Sequence, residues 1–354
     1  MTKTVVVFSP NYFKHNPGRD HPESAKRLRS IITELKRGQL SRNKNWSFIS
    51  PEKGTIEQVE LVHDLKYVNH VRTLCRSGGG LLDTGDTRVS ADSFSVALYA
   101  VGGALKSVDH VMRGFSENSF ALIRPPGHHA AKSYGLGFCI FNNVAIAASH
   151  LLNSYKLKRV MILDVDSHHG NGTQSIFYDT DKVLYMSLHE DPRDFPGTGF
   201  ADEIGEHQGR GFNVNIPLPF KTSDRIYLKA FNEIVSPIAR EYRPQFILVS
   251  AGFDSHHSDP VGRLALSAKC YDEIFEIITA FAADLCNGRF SLVLEGGYNV
   301  SLVGKLATLA LAKINGIPYS MSDDVPVSKQ RTQERGEQAI RKAKRVQRDF
   351  WHLV

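Results

Sequence analysis

The stretch Val160-Met161-Ile162-Leu163-Asp164-Val165-Asp166-Ser167-His168-His169-Gly170-Asn171-Gly172 decides how the rest of the chain is read. It begins as an apolar run of the kind that makes a fully buried parallel strand, then alternates ionisable residues and ends in glycines. Side chains two apart on an extended chain share a face, so Asp164, Asp166 and His168 line up together. Two carboxylates and an imidazole at the tip of a buried strand carry a desolvation cost that something must offset. Carboxylate oxygen and imidazole nitrogen are both zinc ligands, and three protein ligands leave one position open for water and substrate. Asp166 and His168 supply two of the three. Taken by itself, the segment also fits a hydrogen-bonded loop closing a strand.

Working outward, apolar runs recur at residues 5–8, 120–123, 183–186, 246–249 and 291–294. Helical patterns at 142–155, 224–242 and 267–285 separate most of them, and others fall at 22–35, 56–61, 67–74 and 91–115, while 81–90 reads as a polar loop. This alternation predicts an α/β fold with a central, mostly parallel sheet and helices on both faces. Ligands of such sheets bind beyond the carboxyl ends of the strands. There the sequence places Arg124-Pro125-Pro126-Gly127-His128-His129, Ser187-Leu188-His189, Ser250-Ala251-Gly252-Phe253-Asp254 and Glu295-Gly296-Gly297-Tyr298-Asn299. A structural loop explains any one of these ends and struggles with five together.

Asp254 is the natural third ligand beside Asp166 and His168. The His128-His129 pair offers a base near neutral pH, or one buried and one exposed structural histidine. Tyr298 on its Gly-Gly turn is suited to donate to an oxyanion. Ser255 and His256 stand where a two-metal site would want another carboxylate, so one metal is expected.

Composition bounds the rest. The 354 residues are 42% apolar and 23% charged, ordinary for a soluble globular protein. No apolar run approaches a membrane span, and residues 5–8 read as a first strand, not a signal peptide. Cys75, Cys139, Cys270 and Cys286 lie far apart, which argues against a disulfide framework and for a reducing, cytoplasmic setting. Of the net charge of +6, residues 329–354 carry +5, with eight Lys/Arg against three Asp/Glu. No aromatic-interleaved patch accompanies that tail, which argues against nucleic acid as partner. With no repeat or proline-rich linker in 5–317, one catalytic domain is expected over 1–319. The tail 320–354 shows an amphipathic pattern (Ile340, Ala343, Val346, Phe350), expected to form a helix packed on the body.

The motifs RPPGHHA, GFCIFNN, DVDSHHGNGTQ, FPGTG, SAGFD and EGGYN, in this order, resemble those of the zinc-dependent histone deacetylases and the bacterial acetylpolyamine amidohydrolases, within the arginase/deacetylase fold. The resemblance runs from about His15 to Asn299. It implies one Zn²⁺ on Asp166, His168 and Asp254. It implies His129 as the base that activates the attacking water and the acid that protonates the leaving amine. His128, backed by Asp164, becomes its electrostatic partner, and Tyr298 the group that polarises the acyl carbonyl. Phe138, with Gly137 before it, and Phe195 are similar to the aromatic walls of a channel that grips an acyl-lysine stem. A structural K⁺ or Na⁺ is implied on main-chain oxygens of Asp164, Asp166, His168 and Leu188 with the Ser187 hydroxyl.

Two positions refine the subclass. Asn171 replaces the aspartate that class I members hold behind the second histidine, pointing to a class II-like branch and lowering the basicity of His129. Tyr298 is the residue of active members. Asp86 lies where the family often places an aspartate that anchors the substrate backbone; a plain turn-former is the other reading. Val261 stands where a polyamine-selective relative carries a glutamate, which favours acetyl-lysine in a peptide or protein. The acids Asp83, Asp86, Glu190, Asp191 and Asp194 of the rim keep acetylated polyamines open. A non-catalytic acyl-lysine binding module is the alternative of another class, disfavoured because a pure binder needs no proton shuttle. Fe²⁺ or Co²⁺ would suit the same ligands, and an oligomer is compatible with the sequence.

Overall fold

Apolar, β-branched runs bounded by turn residues become strands, and here they pair side by side. In the computed structural model, which describes residues 2–37, 40–83 and 85–353, the strands are β1 (Thr2–Val7), β2 (Trp46–Ile49), β3 (Gly79–Leu81), β4 (Arg88–Ser90), β5 (Ser116–Ala121), β6 (Val160–Asp164), β7 (Val183–Glu190), β8 (Asn213–Leu218), β9 (Phe246–Ala251) and β10 (Phe290–Leu294). Eight form one sheet in the order β2-β1-β5-β10-β9-β6-β7-β8, and every pair in it is parallel. The α/β architecture expected from the sequence is the one observed. Strands β6, β7, β9 and β10 are buried along their whole length, as a sheet covered on both faces requires.

Helices Ser93–Met112 and Asn143–Ser154 pack together on one face. Ala25–Leu35, Val300–Asn315 and Ala268–Cys286 cover the other. The alanines and glycines of Ser93–Met112 let that helix lie close: a Cβ on Gly103 would sit 2.6 Å from Ile123. The segment 224–242, expected as one helix, is continuous but takes a π-turn at Phe231–Val235. The first helix starts at Ala25, because Glu23 is drawn into an ion cluster with Arg27 and Arg124. Residues 81–90 are not only a loop: β4 folds back on β3 as an antiparallel ribbon.

The C-terminal helix Gln330–Gln347 lies along β8 and helix Asp224–Ala230. Ile340 and Ala343 are buried there, Gln347 Nε2 donates to the Asn213 carbonyl at 3.0 Å, and Trp351 Nε1 to the Gly211 carbonyl at 2.8 Å. Among the described residues no helix is long and apolar enough to cross a membrane, and the four cysteines are buried and unpaired.

Candidate active site

The five strand ends singled out by the sequence belong to β5, β10, β9, β6 and β7, which are consecutive neighbours in the sheet. Parallel pairing brings their loops to one edge. Asp166, His168 and Asp254 converge there, each offering one ligand atom within 4.8 Å of the others. His168 Nδ1 lies 3.3 Å from Asp166 Oδ1 and 3.1 Å from Asp254 Oδ2. A tetrahedral ion with bonds of about 2.0–2.1 Å sets its ligands about 3.3 Å apart, so the spacing fits such an ion. A single N–H shared between two carboxylates answers little of their negative charge, so the cluster calls for more positive charge than a neutral histidine brings. Burial, and the charge of Asp166 beside it, push the Asp254 carboxyl up to about 7, the behaviour of two acids sharing one site.

Each carboxylate is aimed by a distant backbone. Asp166 Oδ2 accepts the Gly296 N–H at 2.9 Å, and Asp254 Oδ1 the Ser167 N–H at 2.9 Å. Gly296 has no substitute: a Cβ would lie 2.4 Å from Asp254 Oδ2 and 2.6 Å from Asp166 Oδ2.

The histidine pair sits beside the cluster. His128 Nδ1 meets Asp164 Oδ2 at 3.1 Å, and His129 Nδ1 meets Asn171 Oδ1 at 2.8 Å. An amide oxygen only accepts, so His129 carries its proton on Nδ1 and turns a free Nε2 lone pair outward. Burial alone would hold His128 neutral, but Asp164 and Asp166 outweigh it and raise it to about 10. Burial, then the charge of His128, drives His129 well below its ordinary value. Two adjacent imidazoles are thus pushed apart, one cationic and one neutral. Asp164 is itself bonded by the Tyr185 hydroxyl at 3.1 Å.

Aromatic rings make the walls. Phe195 packs 4.9 Å from His129 and 5.9 Å from His168, and Phe138 lies 5.6 Å from Tyr298, centroid to centroid. Gly137, at φ +55°, lets the wall close: a Cβ would meet His129 at 2.5 Å and Phe195 at 2.9 Å. The Tyr298 ring has the Arg27 guanidinium over its face at 4.9 Å, and its backbone N–H donates to Asp259 Oδ2 at 2.6 Å.

All the singled-out residues therefore meet at one edge or its rim. Asp86 is exposed, with its carbonyl 3.1 Å from His21 Nε2 and the His21 ring 4.6 Å from Phe138. Val261 is tied to the Tyr298 turn through Asp259, which accepts its N–H at 2.9 Å. Ser187 pairs with Asp164 across β6 and β7, Leu188 is buried beside it, and the Ser187 hydroxyl lies 2.7 Å from His189 Nδ1. One expectation needs correction: Glu190, placed among the rim acids, is buried at 2% exposure and bonded to Ser167 and Arg263. Sequence reasoning also gave no role to Glu295, which accepts the Gly127 and His128 N–H groups at 2.7 and 3.2 Å. Its carboxyl is lifted to about 7 by burial. The one signal was its place ahead of Gly296-Gly297.

The chain is similar to known proteins along most of its length. A family model described as the histone deacetylase domain matches residues 21–314. A probable deacetylase of Archaeoglobus fulgidus is 42% identical over 297 residues, covering 84% of this chain and 82% of that protein. A histone deacetylase-like amidohydrolase of Pseudomonas aeruginosa is 34% identical over 304 residues, 86% of this chain and 78% of that protein. The crystal structure of the HDA15 HD domain superposes with a TM-score of 0.88 at 32% identity, over 99% of this chain and 96% of that one.

Proposed function

The chain belongs to the histone deacetylase family, and from that premise we propose that it is a zinc-dependent amidohydrolase that removes acetyl groups from lysine side chains of peptides or proteins. Its family and its amidohydrolase relatives support deacetylase activity; the metal, the lysine substrate and the residue roles are our own reading. The observation that carries it is the approach of His129 to the three-ligand cluster, with its ring 6.2 Å from that of His168. What zinc supplies when held by Asp166, His168 and Asp254 is Lewis acidity toward the acyl oxygen and a lower pKa for the attacking water.

The remaining steps belong to side chains. His129 takes the proton of the attacking water on Nε2, held in that tautomer by Asn171. The new C–O bond forms, the Tyr298 hydroxyl donates to the oxyanion, and the C–N bond breaks as His129 returns the proton to the amine. His128, kept cationic by Asp164 and Asp166, stabilises the developing negative charge without exchanging its own proton. A pure acyl-lysine binder has no use for this arrangement.

The rim favours a lysine stem over a polyamine. Asp83 is spent within its own turn on the Gly85 and Thr87 N–H groups, each at 3.0 Å. Asp191 holds Arg193, Asp194 holds Arg263, and Glu190 is buried. Among the described residues Asp86 forms no ion pair, which leaves its carboxylate available to a peptide backbone, and Val261 adds no charge for a second ammonium. The same reading takes residues 1–319 as the catalytic domain, with the helical tail packed on it, and a cytoplasmic setting, supported by four unpaired cysteines. A structural K⁺ or Na⁺ is supported by the Ser187 hydroxyl. His189 donates from Nε2 to the Gly199 carbonyl at 2.9 Å, so its Nδ1 accepts the Ser187 proton and leaves the Ser187 oxygen lone pairs to a cation.

The test is kcat/KM of zinc-loaded protein on an acetyl-lysine peptide beside acetylputrescine and acetylspermidine. Preference for the peptide, abolished by a chelator and restored by zinc, is the expected result. Preference for the polyamines would transfer selectivity to the rim acids, and absence of turnover on all three would reopen the binding-module reading.

A further inference from the structure

Glu190 closes β7 as a buried carboxylate behind the cluster. Its N–H donates to the Ser167 carbonyl at 2.8 Å, which sets it alongside the residue preceding His168. The Ser167 hydroxyl and the Arg263 N–H both donate to Oε2, at 2.8 and 2.6 Å. Oε1 receives only the Arg263 Nε–H at 3.3 Å and faces His168 Nε2 at 3.9 Å. A carboxylate offers about four lone-pair sites, so Oε1 keeps acceptor capacity on the side of the imidazole. Arg263 is itself held, stacked 3.9 Å from the centroid of the Phe220 ring and paired with Asp194 at 2.8 Å.

The orientation of the His168 ring gives this carboxylate a use. Nδ1 points between Asp166 and Asp254, so ligation through Nδ1 requires the ring proton on Nε2. A carboxylate behind a ligating imidazole fixes that tautomer, locks the ring and strengthens the donor nitrogen.

We propose that Glu190 is a positioning residue for the metal ligand His168, holding its Nε2–H while Arg263 holds the carboxylate from the rim. This rests on the zinc-site reading above and extends it: metal affinity depends on a carboxylate outside the ligand set. The expected geometry in the loaded protein is a short shift of Oε1 toward Nε2 into hydrogen-bond range.

The experiment strips the full-length protein of metal and titrates Zn²⁺ against a chromophoric competing chelator. Glu190→Gln should lower the affinity about 10- to 100-fold. Arg263→Gln, which frees the carboxylate without removing it, should lower the melting temperature yet leave affinity within about threefold of wild type. Equal losses in both variants would make Glu190 a loop clamp and overturn the proposal, as would wild-type affinity in Glu190→Gln. Wild-type protein that binds no Zn²⁺ would overturn it together with the zinc reading, whereas tight wild-type binding with an unaffected Glu190→Gln overturns this inference alone. A measurement on wild type needs no variant to fold. In the Co²⁺-loaded protein, the paramagnetically shifted Nε2–H resonance of His168 should be protected from solvent exchange, and an unprotected proton would refute the contact.

Discussion

On the floor of the site, each acid answers to a distant part of the chain: Asp166 to Gly296, 130 positions away, Asp254 to Ser167, 87 away, and Glu295 to Gly127, 168 away. On the rim, two of the acids answer to neighbours, and Asp194 reaches across, to Arg263, 69 positions on. Asp83 bonds Gly85 and Thr87, two and four positions on, and Asp191 bonds Arg193, two positions on. The floor is therefore locked by the sheet, since moving one ligand means moving a strand end. The turns of Asp83 and Asp191 on the rim are self-contained and can change one at a time. Chemistry should fail when the floor is altered, and selectivity should drift when the rim is. Asp259 belongs to both: it caps Val261 and Gly262 in its own loop while holding the N–H groups of Tyr298 and Asn299.

The largest effect is expected on the floor. Tyr298→Phe keeps the ring that packs on Phe138 and removes only the hydroxyl, so kcat should fall about 100- to 1,000-fold with KM little changed. Activity within a factor of a few of wild type would show that the hydroxyl meets no developing charge, and would leave the floor a metal site without an oxyanion donor. On the rim, Asp86→Ala should raise KM for an acetyl-lysine peptide about tenfold while kcat holds, the signature of a contact made equally in ground and transition states. A loss confined to kcat would place Asp86 with the floor and blur the division. Smaller still is Val261→Glu. A partly exposed carboxylate facing a second ammonium is worth about 0.2–1 kcal/mol, so kcat/KM for acetylspermidine should rise by about 1.4- to fivefold, with the peptide unaffected. No gain would mean that position 261 does not face the substrate.

The same division governs what the sequence disclosed. Strands β6, β9 and β10 were legible because sheet burial on both faces demands continuous apolar runs, and the reactive residues follow them directly. Strand β8 was not: in Asn213-Val214-Asn215-Ile216-Pro217-Leu218 the asparagines are buried, and their Nδ2 groups donate to Gln174 Oε1. That compensation comes from about 40 positions away and leaves no local trace. Strand β2 is a short edge with two exposed residues, and the β3–β4 ribbon runs through Gly79 and Gly80, which carry no strand signal. The convergence of Asp166, His168 and Asp254 was readable because chemistry restricts residue types at the strand tips. The burial of Glu190 was not, because it depends on Arg263, 73 positions on. An acid in a loop looks the same in sequence whether it faces water or a metal ligand.

The finest probe of the floor leaves rate at the optimum nearly untouched and moves only its pH dependence. His129 is driven below its ordinary value by burial first and then by the charge of His128, and its Nδ1 partner Asn171 is neutral. Asn171→Asp sets an anion on that nitrogen, which favours the imidazolium and opposes both causes, so the pKa of His129 must rise. A base works only when deprotonated, so the acid limb of kcat/KM should move to higher pH, by about one unit for a partly screened carboxylate. Well above that limb the two proteins should turn over alike. On the rim the opposite is expected: Asp86→Asn should leave the limb where it is, because among the described residues the His129 ring is hydrogen-bonded by Asn171 and by no rim side chain. A limb that stays put in Asn171→Asp, or moves to lower pH, would mean that the group titrating there is not His129. The proton shuttle would then have to be sought in His128, whose partner Asp164 is already a carboxylate.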